Sequence, residues 1–250
     1  MTKIKFSENH VLLDIEGTIS SVSFVKDILF PCIRENLKQY IEDNWSKQEF
    51  RSILNLLKKQ FAEDVANKVE NLVPIVENEN EKDSVIQNVL YQMDLDRKNV
   101  ALKKLQGNIL KNVFHSGKLK GHVYDDVVPA LKSWKKNGKK LYIYSSGSVE
   151  AQKLLFRYSV YGDILDLFCE HFDTEIGFKT DPKSYTNIAK TIGCFTTDII
   201  FVTDVIKEAE AASEAGCRVV ISLRPGNYPI SDSDKIKYEC IYSFAEMSPE

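Results

Sequence analysis

The chain predicts an α/β fold in which a parallel sheet, drawn from both ends of the sequence, is interrupted by a helical insert. Three observations carry this. Short apolar runs without polar alternation, Val11-Leu12-Leu13, Leu141-Tyr142-Ile143-Tyr144, Ile199-Ile200-Phe201-Val202 and Val219-Val220-Ile221, have the composition of strands buried on both faces. Beyond residue 120 such runs alternate with helical patterns, which gives right-handed crossovers and a parallel sheet. Between the first run and that alternation, residues 20–120 show helical periodicity alone. The expected division is therefore an α/β core domain, 1–19 with 121–250, and a helical domain, 20–120.

Within the insert, Phe24, Ile28 and Leu29 begin a helical stripe that Pro31 must kink or restart. Ser46-Lys47-Gln48-Glu49 has capping-box form ahead of Phe50, Ile53, Leu54 and Leu57. Asp83 or Ser84 is placed to cap a third helix with Val85, Ile86, Val89, Leu90 and Met93 on its apolar face, and the polar stretch 77–82 before it reads as a loop. Leu102, Leu105, Ile109 and Leu110 mark a fourth helix, so the insert reads as a small bundle. In the core, Pro129, Ala130, Leu131 and Trp134 fit a helix ending near Gly138, and Val149, Leu154 and Leu155 fit another. Asp181-Pro182 is an N-cap followed by proline at the first helical position, and Gly193 is placed to end that helix. A last helix runs through Glu208 and Ala212 to Gly216.

Composition narrows the function classes. The 250 residues are 43% hydrophobic and 28% charged, with a net charge of -3, which gives no reason to expect nucleic acid or an acidic membrane surface as partner. No stretch approaches the ~20 apolar residues of a membrane span. The first residues lead directly into a strand without an apolar signal region, so a cytoplasmic protein is expected, with a nuclear pool if the source is eukaryotic. Cys32, Cys169, Cys194, Cys217 and Cys240 are scattered and form no Cys-x-x-Cys pair, so they read as reduced, mostly buried thiols, with no zinc site or disulfide framework.

Three strands end in polar residues of complementary type: Asp14 with Glu16, Ser145 with Ser146, and Asp204. Parallel strands present their carboxyl ends along one edge, where ligand crevices form. Lys179 lies in a loop before the Pro182 helix, with Lys183 as its rival inside the first turn. Two aspartates suit Mg²⁺, which keeps waters and substrate oxygens as its other ligands. Serine hydroxyls and the backbone amides opening the helix after Ser148 suit a phosphate, and a lysine supplies charge for its oxygens. A strand-end carboxylate can attack phosphorus, and phosphoryl transfer chiefly needs positioning and charge neutralisation. Singly, each residue has an ordinary explanation as a turn former, helix cap or solvated surface group; their joint occurrence on successive strand ends is what points to a site.

Asp14-Ile15-Glu16-Gly17-Thr18, Ser145-Ser146-Gly147-Ser148, Lys179 and Thr203-Asp204 resemble the four motifs of the haloacid dehalogenase superfamily, mainly Mg²⁺-dependent phosphatases with a Rossmann-like core. The helical insert resembles that superfamily's cap domain. Asp-x-Glu stands where most of its phosphatases carry Asp-x-Asp. Together with Phe24–Pro31, Phe172-Asp173-Thr174 and Arg224-Pro225-Gly226-Asn227, this resembles the enolase-phosphatase family of methionine salvage. Ile19 departs from that family's pattern, where a second threonine is expected.

The resemblance implies enolisation of 2,3-diketo-5-methylthiopentyl-1-phosphate followed by loss of phosphate to an acireductone. Carried over residue by residue, it implies Asp14 as nucleophile and metal ligand, Asp204 as a second ligand, and the Glu16 carbonyl as a third. The Glu16 side chain is then the candidate for proton transfer, Ser145, Ser146 and Lys179 hold substrate, and Glu208 orients the metal's surroundings or simply faces solvent. One Mg²⁺ per chain, a small-molecule phosphate substrate and a monomeric state are expected. Phe24 either covers the methylthio end of the substrate or packs the first helix of the insert. The alternatives are a phosphatase of the same superfamily acting on another small ester, and a receiver-like signalling module, against which the insert at 20–120 speaks.

Overall fold

The computed structural model describes residues 3–97 and 99–250. Six parallel strands form the main sheet: β2 (His10–Leu13), β3 (Lys140–Tyr144), β4 (Glu170–Phe172), β5 (Ile199–Thr203), β6 (Arg218–Ser222) and β7 (Glu239–Ile241). Their order is β4-β3-β2-β5-β6-β7, which puts the earliest of them in the middle. Val11, Leu12 and Leu13 are essentially inaccessible to water, as a strand flanked on both edges and covered on both faces requires. Such a strand holds its last residue and the turn beyond it rigidly, which is what a site at its carboxyl end needs.

The chain divides into two compact units. One comprises the residues up to Asp27 together with Leu119–Glu250; the other is Ile28–Lys118. The second unit contains α1 (Phe30–Asn44), α2 (Gln48–Ala66), α3 (Glu81–Asp94) and α4 (Val100–His115), entered through a π-helical stretch, Phe24–Leu29. Pro31 falls in the first turn of α1, so it restarts the helix rather than kinking it. The apolar faces expected of α2, α3 and α4 are the buried ones, with Leu54, Leu57, Val89, Leu102 and Leu105 almost fully covered. Two local details differ from expectation. Lys47, not Ser46, occupies the N-cap of α2 and no side chain caps it. α3 begins at Glu81, ahead of Asp83 and Ser84, because the Ser84 hydroxyl is engaged otherwise: it donates to Glu81 O and accepts from Val76 N–H. The loop is correspondingly shorter than 77–82.

In the first unit, α5 (Val127–Lys136), α6 (Val149–Arg157), α7 (Pro182–Ile192), α8 (Ile206–Glu214) and the short α9 (Asp232–Lys237) alternate with the strands. α7 opens and closes as its sequence predicts: Asp181 accepts a hydrogen bond from Lys183 N–H at 2.9 Å, and Gly193 ends the helix at φ 74°. Not foreseen is a second, two-stranded parallel sheet in which β1 (Ile4–Phe6) pairs with β8 (Met247–Pro249). Its apolar anchor is aromatic: Trp134 of α5 packs edge-on to Phe6 and stacks on Phe244. Of the five cysteines only Cys217 is buried, fewer than expected.

One ion pair ties the connection after the helical insert to the turn after β6. Arg224, 7% exposed, donates from both terminal nitrogens to Asp126, at 3.0 and 2.9 Å, with its guanidinium over the Tyr124 ring. Asp126 also accepts from the Ser243 hydroxyl and Phe244 N–H. Burial alone would raise the Asp126 carboxyl, but these donors and the Arg224 charge outweigh it and hold it below the ordinary range. A lowered folded-state value means that the stabilisation is complete above the unfolded carboxyl's value of about 3.9 and is lost as pH falls through the lower folded value. Asp126→Asn should therefore cost about 3 kcal/mol at pH 7. In urea titrations at pH 7, 4 and 3 the gap to wild type should narrow below about pH 4; a gap unchanged at pH 3 would count against this assignment.

Candidate active site

The sheet register sets the site. Leu13 pairs with Ile143 on one side and Val202 on the other, so Asp14, Tyr144 and Thr203 come next at one level of the carboxyl edge. Asp14 is 4% exposed and its N–H still donates to Val202 O, extending the ladder by one bond. Its carboxylate is oriented from two directions: Oδ1 accepts from Ile15 N–H and from Lys179 Nζ, each at 2.7 Å. Oδ2 has the Thr203 hydroxyl at 3.4 Å, but that hydroxyl's single proton is better placed for Glu208 Oε2 at 2.8 Å. Oδ2 is thus the oxygen left for ligand or attack.

Lys179, 6% exposed, bridges Asp14 Oδ1 and Glu208 Oε2, both at 2.7 Å. Burial favours the neutral amine, yet the two carboxylates outweigh it and hold the ammonium above its ordinary range. Lys183 is exposed in the first turn of α7. Glu208, for which the sequence leaves two roles open, is buried on the inner face of α8 and raised by burial and by the Asp14 charge. Asp204 is pushed up to about 8 by burial and by Asp14, against the pull of Lys179. Two carboxyls that repel in a buried setting are the donor set a divalent cation relieves.

Gly17 makes this proximity feasible. At φ 69° it turns the chain sharply after Glu16, and a Cβ there would overlap the Asp204 carboxylate and come within 2.9 Å of Asn227 Oδ1. Asn227 fastens the turn from the far side, donating to Gly17 O at 2.8 Å and Ser222 O at 3.0 Å, while its Oδ1 stays buried without a hydrogen-bond partner. The family block at Arg224–Asn227 thus braces the turn after β2, with Arg224 donating to Thr18 O and Asn227 to Gly17 O. Among the described residues no three His, Cys, Asp or Glu side chains form a metal cage. A pair of carboxylates is nonetheless the protein contribution Mg²⁺ ordinarily takes, with oxygens of substrate and water completing its octahedron. The residues fit the ion.

The other expected residues lie in the turns after β2 and β3. Glu16 is exposed, in an isolated β-bridge with Ser20. Ser145 is partly buried and Ser146 exposed, in the turn after β3, with Ser145 N–H tied to Phe172 O. The start of α6 is less open to an anion than the sequence suggests. Asp173 accepts from Val149 N–H at 3.0 Å, and Ser148 caps Ala151 N–H at 3.3 Å. Phe24 is 4% exposed with its ring stacked on His122, a contact that belongs to packing.

The Gly17 turn supplies a test. Gly17→Ala should destabilise by about 1–2 kcal/mol from left-handed backbone alone, and more from the overlap with Asp204. Gly193→Ala has a similar φ of 74° and open space around its Cβ, so it measures the backbone part. Chemical denaturation of both variants should show the larger loss at Gly17; equal losses would mean that Asp204 yields without cost.

Comparison with known proteins agrees with this geometry. A family model described as haloacid dehalogenase-like hydrolase matches residues 9–216. Enolase-phosphatase E1 of Danio rerio is 50% identical over 99% of this chain and 98% of its own, and that of Xenopus tropicalis 47% identical over 95% and 93%. The crystal structure of the UTR4 protein from Saccharomyces cerevisiae superposes with a TM-score of 0.77 at 31% identity, over 95% of this chain and 98% of that one. With a core of parallel strands, a lysine-bridged aspartate at the central strand end and kinship over nearly its full length, the chain belongs to the haloacid dehalogenase-like hydrolases and, among them, to the enolase-phosphatase E1 family.

Proposed function

We propose that this chain is the enolase-phosphatase of methionine salvage. In this reading it converts 2,3-diketo-5-methylthiopentyl-1-phosphate and water into 1,2-dihydroxy-5-(methylthio)pent-1-en-3-one and inorganic phosphate. The observation that carries the reading is kinship with enolase-phosphatase E1 proteins along 99% of the chain. The arrangement around Asp14 supplies chemistry to match.

In this reading Asp14, Asp204 and the Glu16 carbonyl hold one Mg²⁺. When bound, the ion neutralises charge on the phosphate and polarises the substrate's carbonyl oxygens. The Glu16 carboxylate takes a proton from C1 of the diketone, the C1–C2 double bond forms, and the C2 carbonyl oxygen becomes the enol oxygen. Asp14 then attacks phosphorus; an aspartyl phosphate forms as the bond between phosphorus and the C1 oxygen breaks, and that oxygen leaves with the proton Glu16 took from C1, while the C2 oxygen is protonated from water. Water cleaves the acyl phosphate, releasing phosphate and restoring the carboxylate. Lys179 holds the Asp14 carboxylate in place and offers its ammonium to the phosphate oxygens, with Ser145 and Ser146 as hydroxyl donors on the other side. Tying up the lysine on Glu208 limits its freedom before substrate arrives, so less ordering remains to be done at the moment of reaction.

The helical unit is assigned the role of the family's cap domain, and the enzyme is taken to be a cytosolic monomer. Among the described residues no helix is long and apolar enough to cross a membrane.

The deciding experiment incubates the purified chain with Mg²⁺ and the diketo phosphate while following acireductone absorbance and free phosphate together. Both should rise in step and stop in excess EDTA. Phosphate release from simple esters, with none from the diketo compound, would instead make this a phosphatase of the superfamily with another substrate. Asp14→Asn should reduce phosphate release by at least about 1000-fold in a variant that still folds by circular dichroism; near-normal turnover would remove Asp14 from the mechanism. Replacing each lysine with methionine should separate the rivals. Lys179→Met is expected to lose at least about 100-fold in kcat/KM and Lys183→Met less than about twofold, and the reverse order would exchange their roles.

A further inference from the structure

The loop that carries Lys179 is held by an arrangement the chemistry above does not use. Three consecutive carbonyls, those of Gly177, Phe178 and Lys179, each accept a hydrogen bond from a hydroxyl on a buried residue. Tyr144 donates to Gly177 O at 2.8 Å, Ser184 to Phe178 O at 2.7 Å, and Tyr185 to Lys179 O at 2.7 Å. All three donor residues are at most 1% exposed. Burial pushes the Tyr144 hydroxyl up to about 12 and Tyr185 further, so both stay protonated donors throughout the range in which an enzyme works. The two rings meet edge to face at 5.7 Å, which restrains their positions mutually.

The donors come from separate parts of the site. Tyr144 ends β3 immediately before Ser145, and Ser184 and Tyr185 lie in the first turn of α7. The Tyr185 oxygen is also 3.2 Å from Glu208 O, so it lies between the backbones of the two residues whose side chains meet. Gly177 is needed for the fit: at φ 136° it brings the chain so close to Ser184 that a Cβ would overlap its hydroxyl. Phe178 itself is 69% exposed, so the loop is fixed through its backbone rather than by burying its own central side chain.

We infer that Tyr144, Ser184 and Tyr185 are positioning residues that set the height of Lys179 over Asp14 by fixing the three carbonyls of its loop. This rests on the reading of Lys179 as the phosphate-binding lysine. An ammonium 2.7 Å from each of two carboxylates has little positional slack, and a small displacement of its main chain weakens both contacts and its reach to phosphate.

The test is a double-mutant cycle on the full chain with Mg²⁺ and the diketo phosphate. Tyr185→Phe, which removes only the hydroxyl, should lower kcat about tenfold with KM changed less than about twofold. On a Lys179→Met background, assayed at high enzyme concentration, it should change nothing further, because its effect passes through the lysine. Ser184→Ala should behave in the same way, and it carries the test if Tyr185→Phe folds poorly by circular dichroism. The same fractional loss on both backgrounds would mean a general effect on the folded fraction and would overturn the inference, as would wild-type kcat in both single variants. Full activity in Lys179→Met would instead overturn the reading of the lysine, and the positioning role with it.

Discussion

A lysine ammonium taken out of water between two carboxylates is the interaction around which this site is built. Removing any one of these ions from solvent costs several kcal/mol, and the cost is offset only if every partner is in place at good geometry. The geometry here is supplied by elements that have little freedom: Asp14 by a central strand covered on both faces, Glu208 by the inner face of α8, Lys179 by a loop pinned at three carbonyls. The three ions come from distant parts of the sequence, and a sheet that presents all its carboxyl ends along one edge is a direct way to bring them together.

The second constraint is repulsive. Asp204 lies close to Asp14, and burial in that company raises its carboxyl far above the carboxylate range. Left alone, such a pair would destabilise the fold; as a receptor for a divalent ion it is an advantage, because the ion meets oxygen donors already brought together and relieves their repulsion. The glycine turn at Gly17 and the Asn227 clamp behind it make that approach feasible, so the tolerance of the site for substitution is decided as much by absent side chains as by present ones.

Much of this was legible in the sequence because it is written in local grammar. Buried parallel strands announce themselves as unbroken apolar runs, and Asp181-Pro182 with Gly193 delimits α7 at both ends. The strand-end carboxylates stand out only together: each alone could be a turn former or cap, and it is their recurrence on successive strand ends beside serines and a lysine that marks a site. What was not legible depends on partners remote in sequence. Tyr144 and Tyr185 read as core aromatics, since nothing nearby shows that their hydroxyls meet carbonyls of the Gly177–Lys179 loop. The pairing of β1 with β8 joins the two ends of the described chain, and short strands without alternation leave no trace of it. Ser46 has the right neighbours for a capping box and yet is one residue out, since Lys47 takes the N-cap without a side-chain hydrogen bond.

The placement of β2 has a consequence for how the molecule comes into being. Its His10 pairs with Lys140 on one side and Ile199 on the other, so the strand at the heart of the sheet emerges early and finds its neighbours late. At ordinary elongation rates the ribosome needs roughly 10–40 s to deliver β5. For that interval Val11-Leu12-Leu13 is an apolar segment with no sheet to enter, while the residues of Ile28–Lys118 are already available to collapse on their own. The helical unit would thus be the first body to form, and the chemistry-bearing half would be the part most dependent on protection during synthesis.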